Sequence, residues 1–109
     1  MINIYIWGTG KAAKKVVTSL DSNICDVKGF IDNKNKIGRL FENKKIYSFK
    51  DVFEIADYIV ISAMNYKAIV YQLNSEGYNV DKIIWFFGDE KSEIFNDEKR
   101  RIAILELNF

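Results

Sequence analysis

The stretch Ile2-Asn3-Ile4-Tyr5-Ile6-Trp7-Gly8-Thr9-Gly10-Lys11-Ala12-Ala13 decides the fold of this 109-residue chain. Its first six residues are mostly β-formers, and they end abruptly in a G-x-G-x-x-A pattern from which a helical pattern runs to Leu20. Such a glycine turn between a strand and a helix brings backbone N–H groups to a phosphate at the helix N-terminus. Gly8 would allow the tight turn, Gly10 the close approach of a ligand, and Ala13 close contact between helix and strand.

A second strand is predicted over residues 25–31, and it ends in Asp32-Asn33. Asp32 follows the glycine turn by about twenty residues, where dinucleotide-binding βαβ units place the carboxylate that binds a ribose hydroxyl. The alternative is that the glycines serve tight packing only and that Asp32 is an ordinary turn residue. Lys34 and Lys36 suggest a ribose 2′-phosphate, as in NADP, but a solvated loop face is the simpler interpretation.

The rest of the chain continues the alternation of strands and helices. Further strands are predicted at residues 45–47, 58–62 and 82–87. Helices are predicted at 48–55, where Ser48 and Asp51 have capping-box spacing, and at 66–76, where Asn65 is the cap. A last helix is predicted near the C-terminus. We therefore expect an α/β domain, specifically a Rossmann-like three-layer α/β/α sandwich with a mainly parallel sheet of about four to five strands. The second strand should lie beside the first, with the later strands on the first strand's other side. This domain would span residues 1–88, and residues 89–109 would form a charged linker and helix leading into a further domain.

The candidate binding residues all follow the carboxyl ends of predicted strands, which is the edge where ligands bind in such folds. We expect the backbone of residues 9–12 to hold a phosphate, with Lys11 adding charge and with Met64 or Tyr66 lying against a base. The candidate set for a nucleotide-type cofactor is Gly8, Thr9, Gly10, Lys11, Ala12, Asp32, Asn33, Ser62 and Asn65.

No catalytic constellation is visible. Histidine is absent, which removes the commonest general base and the commonest metal ligand. The carboxylate pairs Asp89-Glu90 and Asp97-Glu98 have no partner base and no metal-ligand spacing, so we predict no catalytic residue and no metal. The chain is expected to be a non-catalytic domain of a larger enzyme.

Composition narrows the expected partners and compartment. A net charge of +1 gives no electrostatic reason to propose nucleic acid or an anionic membrane, so neither is expected as a partner. No apolar run approaches the roughly 20 residues needed to span a bilayer. Cys25 is the single cysteine, which excludes an internal disulfide and fits a reducing cytoplasm. We expect a cytoplasmic protein whose ligand is a small molecule.

Four segments together, residues 4–10, 27–32, 45–48 and 57–62, resemble the Rossmann-like N-terminal domain of bacterial nucleotide-sugar proteins. Such domains occur in nucleoside-diphosphate-sugar epimerases and dehydratases of capsule synthesis, in sugar acyltransferases, and ahead of some sugar methyltransferases. The resemblance covers residues 2–87. It implies a UDP-sugar or NAD(P) as ligand and a role in surface-polysaccharide biosynthesis, with Gly8, Gly10 and Asp32-Asn33 matching the family's glycine turn and acidic strand end.

The chain also departs from that family. The acyltransferases carry their catalytic histidine in a left-handed β-helix domain that this sequence lacks. The tail, residues 100–107, resembles the helix leading into the methyltransferase domain of macrocin O-methyltransferase-like proteins. We therefore expect catalysis in another domain, and either a longer protein or a last helix that packs on a partner such as a second copy.

Two hypotheses stay open from the sequence. The first is a nucleotide or nucleotide-sugar binding module; the second is a degenerate Rossmann-like domain that has lost its ligand and serves dimerisation or docking. A full dinucleotide domain uses two mononucleotide-binding halves. The second half looks reduced in this chain, which favours UDP over NAD(P) within the first hypothesis.

Overall fold

Six strands and three helices follow one another along the part of the chain that the computed structural model describes, residues 1–20, 22–23 and 25–85. The helix and the carboxylate pairs predicted within residues 89–109 lie outside the described residues, as do the last two residues predicted for the final strand. The elements are β1 (Ile2–Trp7), α1 (Lys11–Ser19), β2 (Cys25–Ile31), β3 (Leu40–Phe41), β4 (Lys44–Tyr47), α2 (Phe49–Val52), β5 (Tyr58–Ile61), α3 (Tyr66–Ser75) and β6 (Ile83–Trp85).

The strands form one sheet in the order β3-β4-β2-β1-β5-β6, with β1 in the middle. All neighbours pair in parallel except β3 and β4, which form a short antiparallel hairpin. The predicted α/β class with a mainly parallel sheet is confirmed. The sheet has one strand more than expected, because the two-residue β3 is too short to show a strand pattern. The predicted strand order is right for β2, β5 and β6, but β4 lies outside β2 rather than on the other side of β1.

Buried side chains form two clusters that share no residue. Alternate residues of a strand point to opposite faces of the sheet, so neighbours such as Ile4 and Tyr5 enter different clusters. Ala13 and Val16 bring α1 into the first cluster, and α2 and α3 enter the second. The helices therefore hold the strand ends in fixed positions through apolar packing.

A β-bulge in β2 sets which of its side chains face each cluster. The register with β1 shifts between Val27 and Gly29, which leaves Lys28 as the extra residue. As a result Phe30 joins Val27 in the cluster that contains α1, although the two residues are three positions apart. The bulge thus resets the alternation just before the strand end that carries Asp32.

The predicted start of α2 is right but its capping is different. Ser48 is the N-cap residue, yet its hydroxyl donates to Asp51 Oδ2 at 3.1 Å and makes no capping hydrogen bond to the helix backbone. The helix also ends at Val52 instead of Ile55. A helix of a single turn depends on Phe49 and Val52 packing in the core more than on its cap.

Replacing Val16 by alanine tests the packing of α1 on the sheet. Val16 is 1% exposed, and losing its two methyl groups should lower the free energy of unfolding by about 2 kcal/mol. Val17, the next residue, is only partly buried against the same cluster, so Val17→Ala is the matched control and should cost clearly less. Urea denaturation followed by circular dichroism measures both; equal losses would mean that α1 is not packed as described.

Tyr78 should make stability fall at alkaline pH. Burial raises the pKa of its phenol above the ordinary value of 10.0, and the hydroxyl donates to the Ala56 carbonyl at 3.1 Å. Above about pH 10 the unfolded chain loses this proton while the folded protein keeps it, so the free energy of unfolding decreases as pH rises. Urea titrations between about pH 8 and 10.5 should show a shallower decrease for Tyr78→Phe than for the wild type. Tyr71, which is 77% exposed, provides the control Tyr71→Phe; an identical slope in all three proteins would contradict the prediction.

Candidate functional site

A cavity of about 460 Å³ opens at the carboxyl edge of the sheet, between the loops that follow β1, β2 and β5. Ligand sites in open parallel sheets lie at this edge. All nine residues of the predicted binding set line this one cavity, together with four that the sequence analysis did not include in that set. The lining comprises Trp7, Gly8, Thr9, Gly10, Lys11, Ala12, Asp32, Asn33, Ser62, Ala63, Asn65, Ile69 and Gln72.

The end of β1 is tied to both of its neighbouring strands beneath the cavity. The Trp7 carbonyl accepts two hydrogen bonds from Ser62, one from its backbone N–H at 2.9 Å and one from its hydroxyl at 2.7 Å. On the other side, the Gly8 N–H donates to the Ile31 carbonyl at 2.8 Å. Ser62 is 6% exposed, and the single proton of its hydroxyl is donated to the Trp7 carbonyl. Its main role is therefore to anchor the turn.

Gly8 and Gly10 meet different requirements in the turn. Gly8 has φ +115°, where other residues are strained, and a Cβ there would overlap the Ser62 hydroxyl oxygen. Gly10 has φ −108°, which any residue adopts, and a Cβ there would have no atom within 4 Å. Gly8 is thus required by the fold, whereas the missing side chain at Gly10 leaves open space in the cavity.

The N-terminus of α1 presents unpaired donors to the cavity. The helix begins directly after Gly10, and its first hydrogen bond runs from the Lys14 N–H to the Gly10 carbonyl at 3.3 Å. The N–H groups of residues 11–13 therefore have no partner within the helix. The first turn contains no acidic residue, and Lys11 adds a positive charge at the cavity wall. The partial charge of the helix dipole favours an anion at this position.

Asp32 occupies the neighbouring end of the cavity and is already hydrogen-bonded there. The Thr9 hydroxyl donates to Asp32 Oδ2 at 2.5 Å, and the Asn33 N–H donates to Asp32 Oδ1 at 2.7 Å. The Thr9 bond joins the glycine turn to the end of β2. Lys36 completes this cluster, with its Nζ 3.3 Å from Thr9 Oγ1 and 3.7 Å from Asp32 Oδ2. The acid is held in one orientation at the cavity wall.

The far wall of the cavity comes from α3. Asn65 is the N-cap residue of this helix, as predicted, but its side chain makes no capping hydrogen bond. Ile69 and Gln72 extend the lining along the same helix. Residues 65, 69 and 72 have the i, i+4, i+7 spacing of one helix face, so the periodicity held the signal that would have found them.

Neither of the residues expected to lie against a base lines the cavity. Met64 is 71% exposed. Tyr66 stacks on Trp85 with ring centroids 3.7 Å apart, and the Trp85 indole N–H donates to the Ala63 carbonyl at 3.0 Å. The Tyr66 ring therefore supports the loop after β5 instead of facing the cavity.

The described residues contain no candidate metal site and no candidate membrane span. No group of three or more His, Cys, Asp and Glu side chains there could hold a metal ion. None of the helices in the same residues has the length and apolarity required to cross a bilayer.

Comparisons with known proteins place the chain in a family. The model of the family described as C2185-like, N-terminal, matches residues 1–84, and this chain belongs to that family. No curated protein matches the chain. Among solved structures, the chain is similar to one described as the crystal structure of RSP in complex with beta-NAD+ and operator DNA. The match has a TM-score of 0.54 at 16% sequence identity and covers 78% of this chain and 49% of that chain. The chain thus spans about half the length of that neighbour, and the likeness shows the fold.

The prediction that nucleic acid is excluded as a partner is wrong. It was based on the net charge of +1, yet the structural neighbour is described in complex with operator DNA. A net charge near zero says little about local charge, and a protein that shares a fold with this domain is found on DNA. The expectation that nucleic acid is not a partner is therefore withdrawn.

The two glycines of the turn should respond differently to alanine. Gly8→Ala places a Cβ at positive φ against Ser62, so it should lower the free energy of unfolding by about 2 kcal/mol or more. Gly10→Ala is the matched control and should cost less than about 1 kcal/mol, since only the preference at the N-cap changes. Thermal and urea unfolding measure both variants, and an equal cost at the two positions would refute this assignment of roles.

Proposed function

We propose that this domain binds a nucleotide in the cavity at the carboxyl edge of the sheet. One observation carries the proposal: the nine residues predicted for nucleotide binding, from separate parts of the chain, line a single cavity. A volume of about 460 Å³ lies in the range of small-molecule and cofactor sites. In this proposal the fold is a Rossmann-like three-layer arrangement. Two separate side-chain clusters support this interpretation, one that includes α1 and one that includes α2 and α3.

The phosphate would bind at the N-terminus of α1. The unpaired N–H groups of residues 11–13 are donors for phosphate oxygens, and the helix dipole and Lys11 favour the negative charge. The open space above Gly10 lets the phosphate approach the backbone closely. These features support a phosphate at the turn.

The ribose would lie beside Asp32. Its carboxylate lines the cavity one strand away from the turn, and a carboxylate accepts hydrogen bonds from ribose hydroxyls. In this proposal a ribose hydroxyl replaces or shares the Thr9 donor at Asp32 Oδ2. The phosphate and ribose positions together describe one nucleotide half.

The strand order supports a dinucleotide more than a UDP-sugar. Parallel strands flank β1 on both sides, with β2 and β4 on one side and β5 and β6 on the other. The cavity likewise continues past the turn to Ser62 and Gln72. A second mononucleotide would have room on that side, and the structural neighbour is described with beta-NAD+. We therefore propose NAD(P) as the ligand class.

The wider role proposed here rests on the resemblance alone. That role is in a bacterial surface-polysaccharide protein with catalysis in another domain, such as a sugar methyltransferase. A cytoplasmic location stays a prediction of the sequence, based on the single cysteine.

An amide NMR titration of the chain with NAD⁺, NADP⁺, UDP and a UDP-sugar tests the proposal. We expect saturable shifts for residues 8–13, 32–33 and 62–65 with the dinucleotides, at ligand concentrations up to about 1 mM, which corresponds to a weak binding free energy. Shifts with UDP alone would move the proposal to a mononucleotide. If none of the four ligands moves these amides, the ligand-free interaction domain is the better account.

Two variants connect the titration to the site. Gly10→Ala places a methyl group in the open space above the turn, so it should weaken binding by about tenfold, equivalent to about 1.4 kcal/mol, while the protein stays folded. Lys11→Ala should weaken binding several-fold through the lost charge. Lys82, exposed and next to the start of β6, provides the control Lys82→Ala, which should bind as the wild type does. Unchanged affinity in Gly10→Ala would place the ligand elsewhere.

A further inference from the structure

Lys36 does not itself line the cavity, but its ammonium contacts two residues that do, Thr9 and Asp32. It lies on a short 3-10 helix of residues 34–36 that follows β2, and its Nζ donates to Thr9 Oγ1 at 3.3 Å. The same Nζ is 3.7 Å from Asp32 Oδ2, and the lysine side chain is 43% exposed against 14% for the aspartate. The ammonium thus lies beside a partly buried carboxylate and is itself the more exposed of the two groups.

Lys34 belongs to the same 3-10 helix but has a different environment. It is exposed, and within the described part of the chain its side chain has no ion pair or hydrogen bond. The expectation of a solvated loop face therefore holds for Lys34 and does not hold for Lys36. The pair offers a test in which only one of two lysines that lie two residues apart contacts the Thr9–Asp32 cluster.

The charge at this end differs from that of a lone carboxylate. An isolated aspartate beside a ribose accepts from the 2′-hydroxyl and repels a phosphate at that position. Here the Lys36 ammonium offsets the charge of Asp32 at 3.7 Å. An ammonium has three N–H donors, and the contact with Thr9 accounts for one of them. Further donors on a half-exposed side chain are available to an anionic ligand group.

We infer that the ribose end of this site accepts a 2′-phosphate and that Lys36 is the residue determining this specificity. The inference rests on the proposed function, since it assigns a ligand within the same cavity. In this arrangement Asp32 orients Lys36 and Thr9, and the lysine forms a charge-assisted hydrogen bond to the phosphate. The ligand class is then a dinucleotide phosphorylated on the adenosine ribose.

Isothermal titration calorimetry of the chain with NAD⁺ and NADP⁺ tests the inference. The wild type should bind NADP⁺ at least as tightly as NAD⁺. Lys36→Ala should raise the Kd for NADP⁺ by about tenfold or more, the usual effect of losing a hydrogen bond to a charged group, and the Kd for NAD⁺ by less than about threefold. Lys34→Ala, the matched control, should change neither Kd by more than about twofold. Lys36→Arg should restore most of the NADP⁺ affinity, because it keeps the charge.

Each other outcome overturns the inference in a recognisable way. A wild type that prefers NAD⁺ would show that Asp32 acts as an ordinary ribose acid. Equal weakening of both ligands in Lys36→Ala would show that the lysine only positions Asp32. Both results would leave nucleotide binding intact. If neither dinucleotide binds the wild type, the proposed function fails along with the inference, and urea unfolding of each variant excludes loss of fold as the cause.

Discussion

The carboxyl end of β1 is held by hydrogen bonds to both neighbouring strands, and the rest of the site depends on this constraint. Ser62 donates twice to the Trp7 carbonyl, and Gly8 donates to the Ile31 carbonyl. These bonds bring the ends of β2 and β5 close to the glycine turn, which is possible only because Gly8 has no Cβ to meet the Ser62 hydroxyl. The cavity, the uncapped start of α1 and the position of Asp32 all follow from that close approach.

Strong local patterns made much of the fold predictable. The strand at Ile2–Trp7 and the helix that begins at Lys11 have the predicted starts, and β2 has the predicted bounds. The two-residue strand β3 was not predicted, because its pairing with β4 depends on a tight turn at Glu42 and Asn43, both at positive φ. The bulge in β2 was also missed, since alternation alone does not show where an extra residue is inserted.

The site was predictable where it depends on backbone geometry and less so where it depends on side-chain contacts. The glycine turn and the ends of parallel strands converge for topological reasons, so residues distant in the chain came together as expected. Lys36 was interpreted as solvated because nothing in a charged loop indicates which lysine folds back on Asp32. Ser62 lines the cavity as expected, but the sequence did not indicate that its hydroxyl donates to the Trp7 carbonyl. The exclusion of nucleic acid failed for a different reason, because net charge averages over local surfaces.

The placement of the aromatic residues has an optical consequence. The chain has two tryptophans; Trp7 lines the cavity, and Trp85 donates its indole proton to the Ala63 carbonyl of the loop beside it. Trp85 also packs against both apolar clusters. Both tryptophans therefore lie at the carboxyl edge of the sheet, so the tryptophan emission of the unlabelled protein reports on events at the cavity.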